Sequence, residues 1–280
     1  MPEPIVISNG ASLSLQPTDS GFAHGYGLFE SIRLEGGRLR FWSAHWQRLQ
    51  NSATALGLNS PQSEESILRA IGRLVSIDAL ENATIKLSLL RKSQGDQLFV
   101  YARPSINWPE TIRLSWRPDY PLSAHSLIAG HKTHNYMENI YLLEQARSAG
   151  FDDCLRPASC GSLGETAVAN ILWFSQDVLH TPAIHLGILP GVVRAALLRL
   201  ADLLKISVSE GAYSPDCLHQ AEALYMTNAS LGIHPVHSVD GEGLSVRFES
   251  AGHPLYNKLR EALQVELEQE AIQPPVPEIE

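Results

Sequence analysis

The sequence predicts an α+β protein of two lobes. Strand-like runs with two-residue alternation dominate the first 120 residues and return after residue 150. Apolar stripes at helical spacing interrupt both sets, and between Arg117 and Gly130 the pattern lapses into Pro, Ser and His. That lapse reads as the connection between an N-terminal α/β lobe, 1–120, and a C-terminal lobe, 121–280. With 280 residues, 44% of them hydrophobic, the chain can bury a substantial core.

The elements follow in order. "EGGRLRF" places Gly36 and Gly37 between apolar runs, the signature of a hairpin. "SAHWQRLQNSATALG" predicts a helix capped by Ser43 and stopped by Gly57, with Trp46, Leu49, Ala53 and Leu56 turned inward. A second helix starts near Ser63 and ends near Ile77. "TIKLSLLR", "QLFVYAR" and "TIRLSW" alternate as strands. A helix is expected from about Asn135 to Ala149, closed by Gly150, and "VANILWF" reads as a buried strand. "GILPGVVRAALLRLADLL" is a Pro-Gly turn feeding an apolar helix; strands near 222–227 and 234–239 and a helix from Pro254 to Glu268 complete the chain. The proline-rich end, 273–280, reads as disordered.

Charge and composition narrow the function. The formal net charge is −9, with no dense Lys/Arg run, which argues against nucleic acid or an anionic membrane as partner. The N-terminus lacks the basic start and apolar run of a signal peptide, and "AVANILWF" is too short to span a bilayer. Cys154, Cys160 and Cys217 form no CxxC pair, which fits a reduced, cytoplasmic compartment. His131/His134 and His234/His237 are spaced i, i+3 but lack the acid or thiol partners of a zinc site, so no metal is expected.

Several segments could carry chemistry. Lys132, in "HKTHNYMENI", is either a surface lysine before a helix or an amine whose pKa burial lowers, suited to a Schiff base. Glu165 stands just ahead of an apolar strand, either as a turn carboxylate or as the partner of a cofactor's ring nitrogen. The turn "LPGVVR" puts free N–H groups at a helix start, where phosphate binds well, although most helix starts hold only their own caps. Arg48 is a bidentate anion binder or a solvated helix residue, and "TNASLG" is an anion loop or mere punctuation.

In this order, the segments resemble the fold-type IV pyridoxal-phosphate enzymes, the class IV aminotransferase family. It includes branched-chain aminotransferases, D-amino acid aminotransferases and aminodeoxychorismate lyase. "DSGFAHGYGLFESIRL", "SAHWQRLQNSA", "KTHNYMENI", "GSLGETAVANILWF" and "TPAIHLGILPGVVR" match the family's successive motifs from about Ser20 to Val239. The resemblance implies a two-lobed architecture like that of D-amino acid aminotransferase, pyridoxal 5'-phosphate as cofactor and a homodimer. It implies Lys132 as the Schiff-base lysine and Glu165 as partner of the pyridine nitrogen. Arg48, the N–H groups of Val192 and Val193, and the Asn228–Ala229 loop would hold the phosphate.

Within the family the lyase members match best. Ser31 stands where branched-chain enzymes carry glycine and lyases carry threonine, and its hydroxyl can donate a proton; the alternative is a plain strand serine. The Tyr-x-Arg of branched-chain enzymes falls on Leu89-Leu90-Arg91, and the basic pair of D-amino acid enzymes has no counterpart, unless Arg103 or Arg33 replaces it. "TNASLG" and "SAHWQRLQ" are lyase-like. Tyr26 in place of aspartate, the lead "RPASC" and the position of Tyr136 depart from the pattern. The expected reaction converts 4-amino-4-deoxychorismate to p-aminobenzoate and pyruvate in folate biosynthesis. The alternatives are transamination of branched-chain or D-amino acids, and cofactor binding without catalysis.

Overall fold

A computed structural model describes residues 5–7, 15–59 and 62–275. The last five residues of the tail expected to be disordered lie outside the described residues. The described chain is α+β, as its patterning predicts, and divides into two compact units.

The first unit comprises 1–106, 131–136 and 267–280. Its elements are β1 (Ile5–Ile7), α1 (Ser20–Ala23), β2 (Gly27–Glu35), β3 (Arg38–Leu39), α2 (Trp42–Ala55), α3 (Glu64–Ile77), β4 (Ala83–Lys92) and β5 (Gly95–Arg103). The five strands form one sheet in the order β1-β5-β4-β2-β3. Gly36 and Gly37 both adopt positive φ, which closes the β2–β3 hairpin. One sheet face buries Leu28, Ile32, Leu34, Ile85, Leu87, Leu89, Leu98 and Val100 against Leu49, Ala53, Ile67, Ile71 and Leu74 of α2 and α3. The α3 cap is as expected, since the Ser63 side chain accepts from the Ser66 N–H. The α2 cap is not: the helix starts at Trp42, after Phe41 in a left-handed conformation, so Ser43 lies inside the first turn. Trp42 is thereby fully buried. Burying an indole outweighs the gain from a serine cap.

The second unit comprises 107–130 and 137–266. It contains β6 (Ile112–Trp116), α4 (Met137–Ser148), β7 (Asp153–Pro157), β8 (Leu163–Thr166), β9 (Asn170–Ser175), β10 (Val178–Pro182), α5 (Val192–Leu203), β11 (Val208–Gly211), β12 (Ala223–Asn228), β13 (Gly232–Gly241), β14 (Leu244–Arg247) and most of α6 (Pro254–Gln269). Its sheet runs β11-β10-β9-β12-β13-β6-β7-β8, with β14 on β13. The core gathers Ile112, Leu114, Ile171, Trp173, Leu224, Met226, Val236 and Val239. Among the described residues no helix is long and apolar enough to cross a membrane.

The lobe boundary expected at residue 120 is corrected to residues 106/107. The reason is pairing: β6 is parallel to β13 and to β7, so it belongs to the second sheet. A second correction concerns Lys132, expected in the C-terminal lobe. Residues 131–136 return to the first unit because they pair with β2. The short strands β7, β8, β10, β11 and β14 carry too little alternation to be read from the sequence.

Asp153 gives the second unit a pH signature. It is fully buried, and its Oδ1 accepts from the N–H groups of Cys154 (2.7 Å) and Ala167 (3.2 Å). Burial pushes its carboxyl from 3.8 up to about 6, against those hydrogen bonds. A carboxyl raised on folding stabilises the fold fully below the unfolded value, and that contribution is lost as pH rises through the folded one. Parent and Asp153→Asn should therefore diverge between pH 4 and pH 6 in denaturant melts, the parent losing about 2–3 kcal/mol relative to the variant. Parallel curves would show that Asp153 titrates normally.

Candidate active site

Lys132 is positioned by backbone pairing. The Phe29 N–H donates to the Lys132 carbonyl (2.9 Å), and the His134 N–H donates to the Gly27 carbonyl (2.9 Å). β3 pairs only with residues 34 and 35 of β2, so the other end of that strand edge accepts the 132–134 segment. The Lys132 ammonium then lies 4.5 Å from the Phe29 ring centroid and 5.2 Å from that of Tyr136. Tyr136 meets Phe29 edge-on at 5.3 Å. Half-buried among aromatic rings, Lys132 fits an amine held for chemistry better than a solvated surface lysine.

Strand alternation sorts the neighbours. Phe29 and Ser31 share one face of β2, while Glu30 points to the helix side. Ser31 is paired in register with Lys86 on β4, whose ammonium donates to Ser31 Oγ at 2.6 Å. Lys86 is only 9% exposed and lies 4.1 Å from the centroid of the same Phe29 ring. Burial, then the charges of Lys132 and Arg103, push its ammonium down to about 7, against the pull of Glu30. His134, its ring tilted against Phe29 at 5.4 Å, is pushed to about 4 by burial and by Lys86.

On the helix side, Glu30 is buried and accepts from Arg48 Nε (2.8 Å) and Nη2 (2.6 Å), with His45 Nδ1 at 2.8 Å. Burial alone would raise its pKa, but the charge of Arg48 and the hydrogen bonds from Arg48 and His45 hold it well below the carboxylate range. Arg48 is thus a partly buried ion-pair partner whose guanidinium is fixed in direction by a carboxylate.

The remaining expected residues lie in the second unit. Glu165 is in β8, and its Oε2 accepts from Asn170 Nδ2 (2.8 Å) and from the Leu189 N–H (3.0 Å). Asn170 also donates to the Leu189 carbonyl (2.9 Å), so one amide ties the carboxylate to the turn before α5. Val192 and Val193 open α5, where the N-cap Gly191 has no side chain to satisfy the first N–H groups. A Cβ on Gly191 would fall on the Asn170 side-chain oxygen, so that end must stay bare. Asn228 Oδ1 accepts from Ser230 (2.9 Å) and Leu231 (2.8 Å), and its Nδ2 donates to the Val168 carbonyl (3.1 Å). Its side chain shapes the Asn228–Ala229 turn, which leaves the backbone to meet an anion.

Each unit, taken by itself, carries parts that suit pyridoxal phosphate: in the first a half-buried amine that can take an aldehyde, in the second a fixed carboxylate that can take a ring N–H and a bare helix start that can take a phosphate.

The sequence reading missed Lys86. Arg91, where the Tyr-x-Arg of branched-chain enzymes falls, pairs with Asp96 (3.0 Å) and covers Tyr26 at 4.4 Å. The physical reason is alternation, since Lys86 shares its face of the sheet with Ser31 and Phe29. Counting back five residues along β4 from Arg91 would have found it. Arg33 pairs with Glu35, whereas the charge of Arg103 acts on Lys86. The histidine pairs have other partners: His131 Nδ1 meets Ser52 Oγ (2.9 Å) and His234 Nε2 meets the Pro109 carbonyl (2.6 Å).

Comparison with known proteins shows the family. The family model described as amino-transferase class IV matches residues 27–239. Aminodeoxychorismate lyase of Bacillus subtilis is 26% identical over 244 residues, 81% of this chain and 82% of that protein. D-alanine aminotransferase of Staphylococcus aureus is 22% identical over 267 residues, 91% and 93% of the two chains. A Legionella pneumophila crystal structure, provisionally named 4-amino-4-deoxychorismate lyase, superposes with a TM-score of 0.85 at 29% identity, covering 94% of this chain and 99% of that one.

Gly191→Ala is expected to displace Asn170, loosening Glu165 and blocking the start of α5. Affinity for pyridoxal phosphate, followed by fluorescence quenching, should fall at least tenfold, in line with other losses of residues that orient a ligand set. Unchanged affinity would remove α5 from the phosphate site.

Proposed function

The chain belongs to the class IV aminotransferase family, whose cofactor is pyridoxal phosphate, and from that premise we propose that it is an aminodeoxychorismate lyase, releasing p-aminobenzoate and pyruvate from 4-amino-4-deoxychorismate. The observation that carries this reading is the Ser31 hydroxyl, on the same face of β2 as the Phe29 ring that seats Lys132. Transamination needs no acid at that place, because its substrate has no leaving group to protonate. The surrounding cations Lys86 and Arg103 add a positive field, unusual in a chain of net charge −9, that suits a substrate with two carboxylates.

Bound cofactor would supply an electron sink for the pair left when the amine-bearing carbon loses its proton. Lys132 would anchor it covalently, and the Lys132 amine would be the base that takes that proton. Glu165, oriented by Asn170 and the Leu189 N–H, would keep its ring nitrogen protonated. The Val192 and Val193 N–H groups, the Asn228–Ala229 turn and Arg48 would hold its phosphate. Ser31 Oγ gives its hydrogen to the methylene carbon of the departing enolpyruvyl group.

A second reading is transamination of D-amino or branched-chain amino acids. It draws on the likeness to the S. aureus D-alanine aminotransferase, and it uses the same Lys132 and Glu165.

Protein loaded with cofactor and fed aminodeoxychorismate should release p-aminobenzoate and pyruvate in equal amounts, with none from Lys132→Ala. Glu165→Gln should keep the cofactor and lower kcat by about tenfold to a hundredfold. Release by neither, with amino-group transfer from D-alanine or leucine to a keto acid, would replace the lyase by the aminotransferase.

A further inference from the structure

We infer that Lys86 is a second proton-handling residue of the site, restoring through Ser31 the proton that Ser31 gives to the substrate, so that Lys132 and Lys86 divide the two proton transfers. The inference rests on the lyase reading and specifies its acid side.

Geometry is the first support. Ser31 and Lys86 are directly opposed in the β2–β4 register, and Lys86 Nζ donates to Ser31 Oγ at 2.6 Å. Because the ammonium donates, the hydrogen of the hydroxyl points elsewhere, and a cation on its oxygen makes the hydroxyl a stronger acid. The second support is placement. Lys86 lies on the same Phe29 ring as Lys132, so both amines address one locus from two elements. The third is the cost of the arrangement. Among the described residues Lys86 forms no ion pair, yet it is nine-tenths buried. A lysine there without chemical use would be replaced at little cost by an apolar residue.

The groups around it set its proton affinity. Lys132 and His134 face it from the 131–136 segment, Tyr101 stands opposite it on β5, Arg103 follows on the same strand, and Glu30 lies on β2. Cationic neighbours and burial leave an ammonium near 7, which can lose and regain a proton at neutral pH.

The step balances. Lys132 takes the proton from the amine-bearing carbon, and that electron pair enters the new aromatic ring. The carbon–oxygen bond to the enolpyruvyl group breaks, its pair remaining on the oxygen that becomes the keto oxygen of pyruvate. The methylene carbon takes the hydrogen of Ser31 Oγ. Lys86 Nζ gives a hydrogen to Ser31 Oγ, is left neutral and is reprotonated by water. No oxidant or reductant enters.

The test compares parent, Lys86→Arg, Lys86→Met and Ser31→Ala, each loaded with cofactor as judged by absorbance. Arginine keeps the charge and a hydrogen-bond donor but cannot release its proton near neutrality. Product release should fall about a hundredfold or more in all three variants. Exchange of the hydrogen on the amine-bearing carbon with solvent deuterium, which reports Lys132 alone, should persist. In the parent, the 15Nζ resonance absent from Lys86→Arg should titrate near neutral pH; a midpoint above 9 overturns the inference. Release by Lys86→Arg within threefold of the parent also overturns it, leaving Lys86 as a fixed charge for a substrate carboxylate. Loss of exchange together with release overturns it as well, since Lys86 would then act on Lys132. Should Lys86→Met not fold, Lys86→Arg carries the comparison. No p-aminobenzoate from the parent would show instead that the lyase reading has failed, and the relay with it.

Discussion

The first unit depends on a short stretch of backbone pairing, between residues 27–29 of β2 and residues 132–134. Two hydrogen bonds of 2.9 Å fix the segment that carries Lys132, and they fix it to the strand that carries Phe29 and Ser31. Gly27 makes the close approach feasible. A Cβ there would meet Leu90 Cδ2 at 2.5 Å, the Leu89 carbonyl at 2.7 Å and the His134 ring at 3.1 Å. Once the backbone is set, alternation does the rest: Phe29 becomes the floor under Lys132, and Ser31 stands one pleat along on the same side.

The same alternation separates charges. Glu30, between Phe29 and Ser31 in sequence, points to α2 and is neutralised by Arg48 with help from His45. Its carboxylate is thereby engaged on the helix side of the sheet, away from the face on which Lys86 meets Ser31. A buried ion pair contributes little to stability by itself, since desolvation consumes most of its attraction. Its value here is orientation: the carboxylate fixes the direction of Arg48. On the aromatic face Lys86, buried and near the charges of Lys132 and Arg103, is held with lowered proton affinity, a property that suits proton transfer.

In the second unit a single amide does comparable work. Asn170 donates to Glu165 and to the Leu189 carbonyl, while its oxygen occupies the space a side chain on Gly191 would need. The carboxylate, the turn and the bare start of α5 are thus mechanically linked. Asp153 underlies them, accepting from Ala167 in the turn between β8 and β9. A rigid carboxylate next to a rigid helix start suits a ligand that presents a ring N–H and a phosphate at fixed separation.

The sequence by itself determined the α+β class, most of the longer helices and strands, and the family. Those signals are local: helical stripes such as Leu49 and Ala53, the Gly36-Gly37 turn, and motifs whose order survives without coordinates. Lys132 and Glu165 were singled out in the sequence because each sits in such a motif. The tertiary structure alone decided that β6 belongs to the second sheet, that residues 131–136 return to the first unit, and that the α2 cap is Phe41 rather than Ser43. It alone brought Lys86 to Ser31, 55 positions apart in the chain yet cross-strand neighbours. The physical reason is common to all four: strand pairing and indole burial are contacts between distant residues, and a linear pattern states which way a side chain alternates but not what it will face.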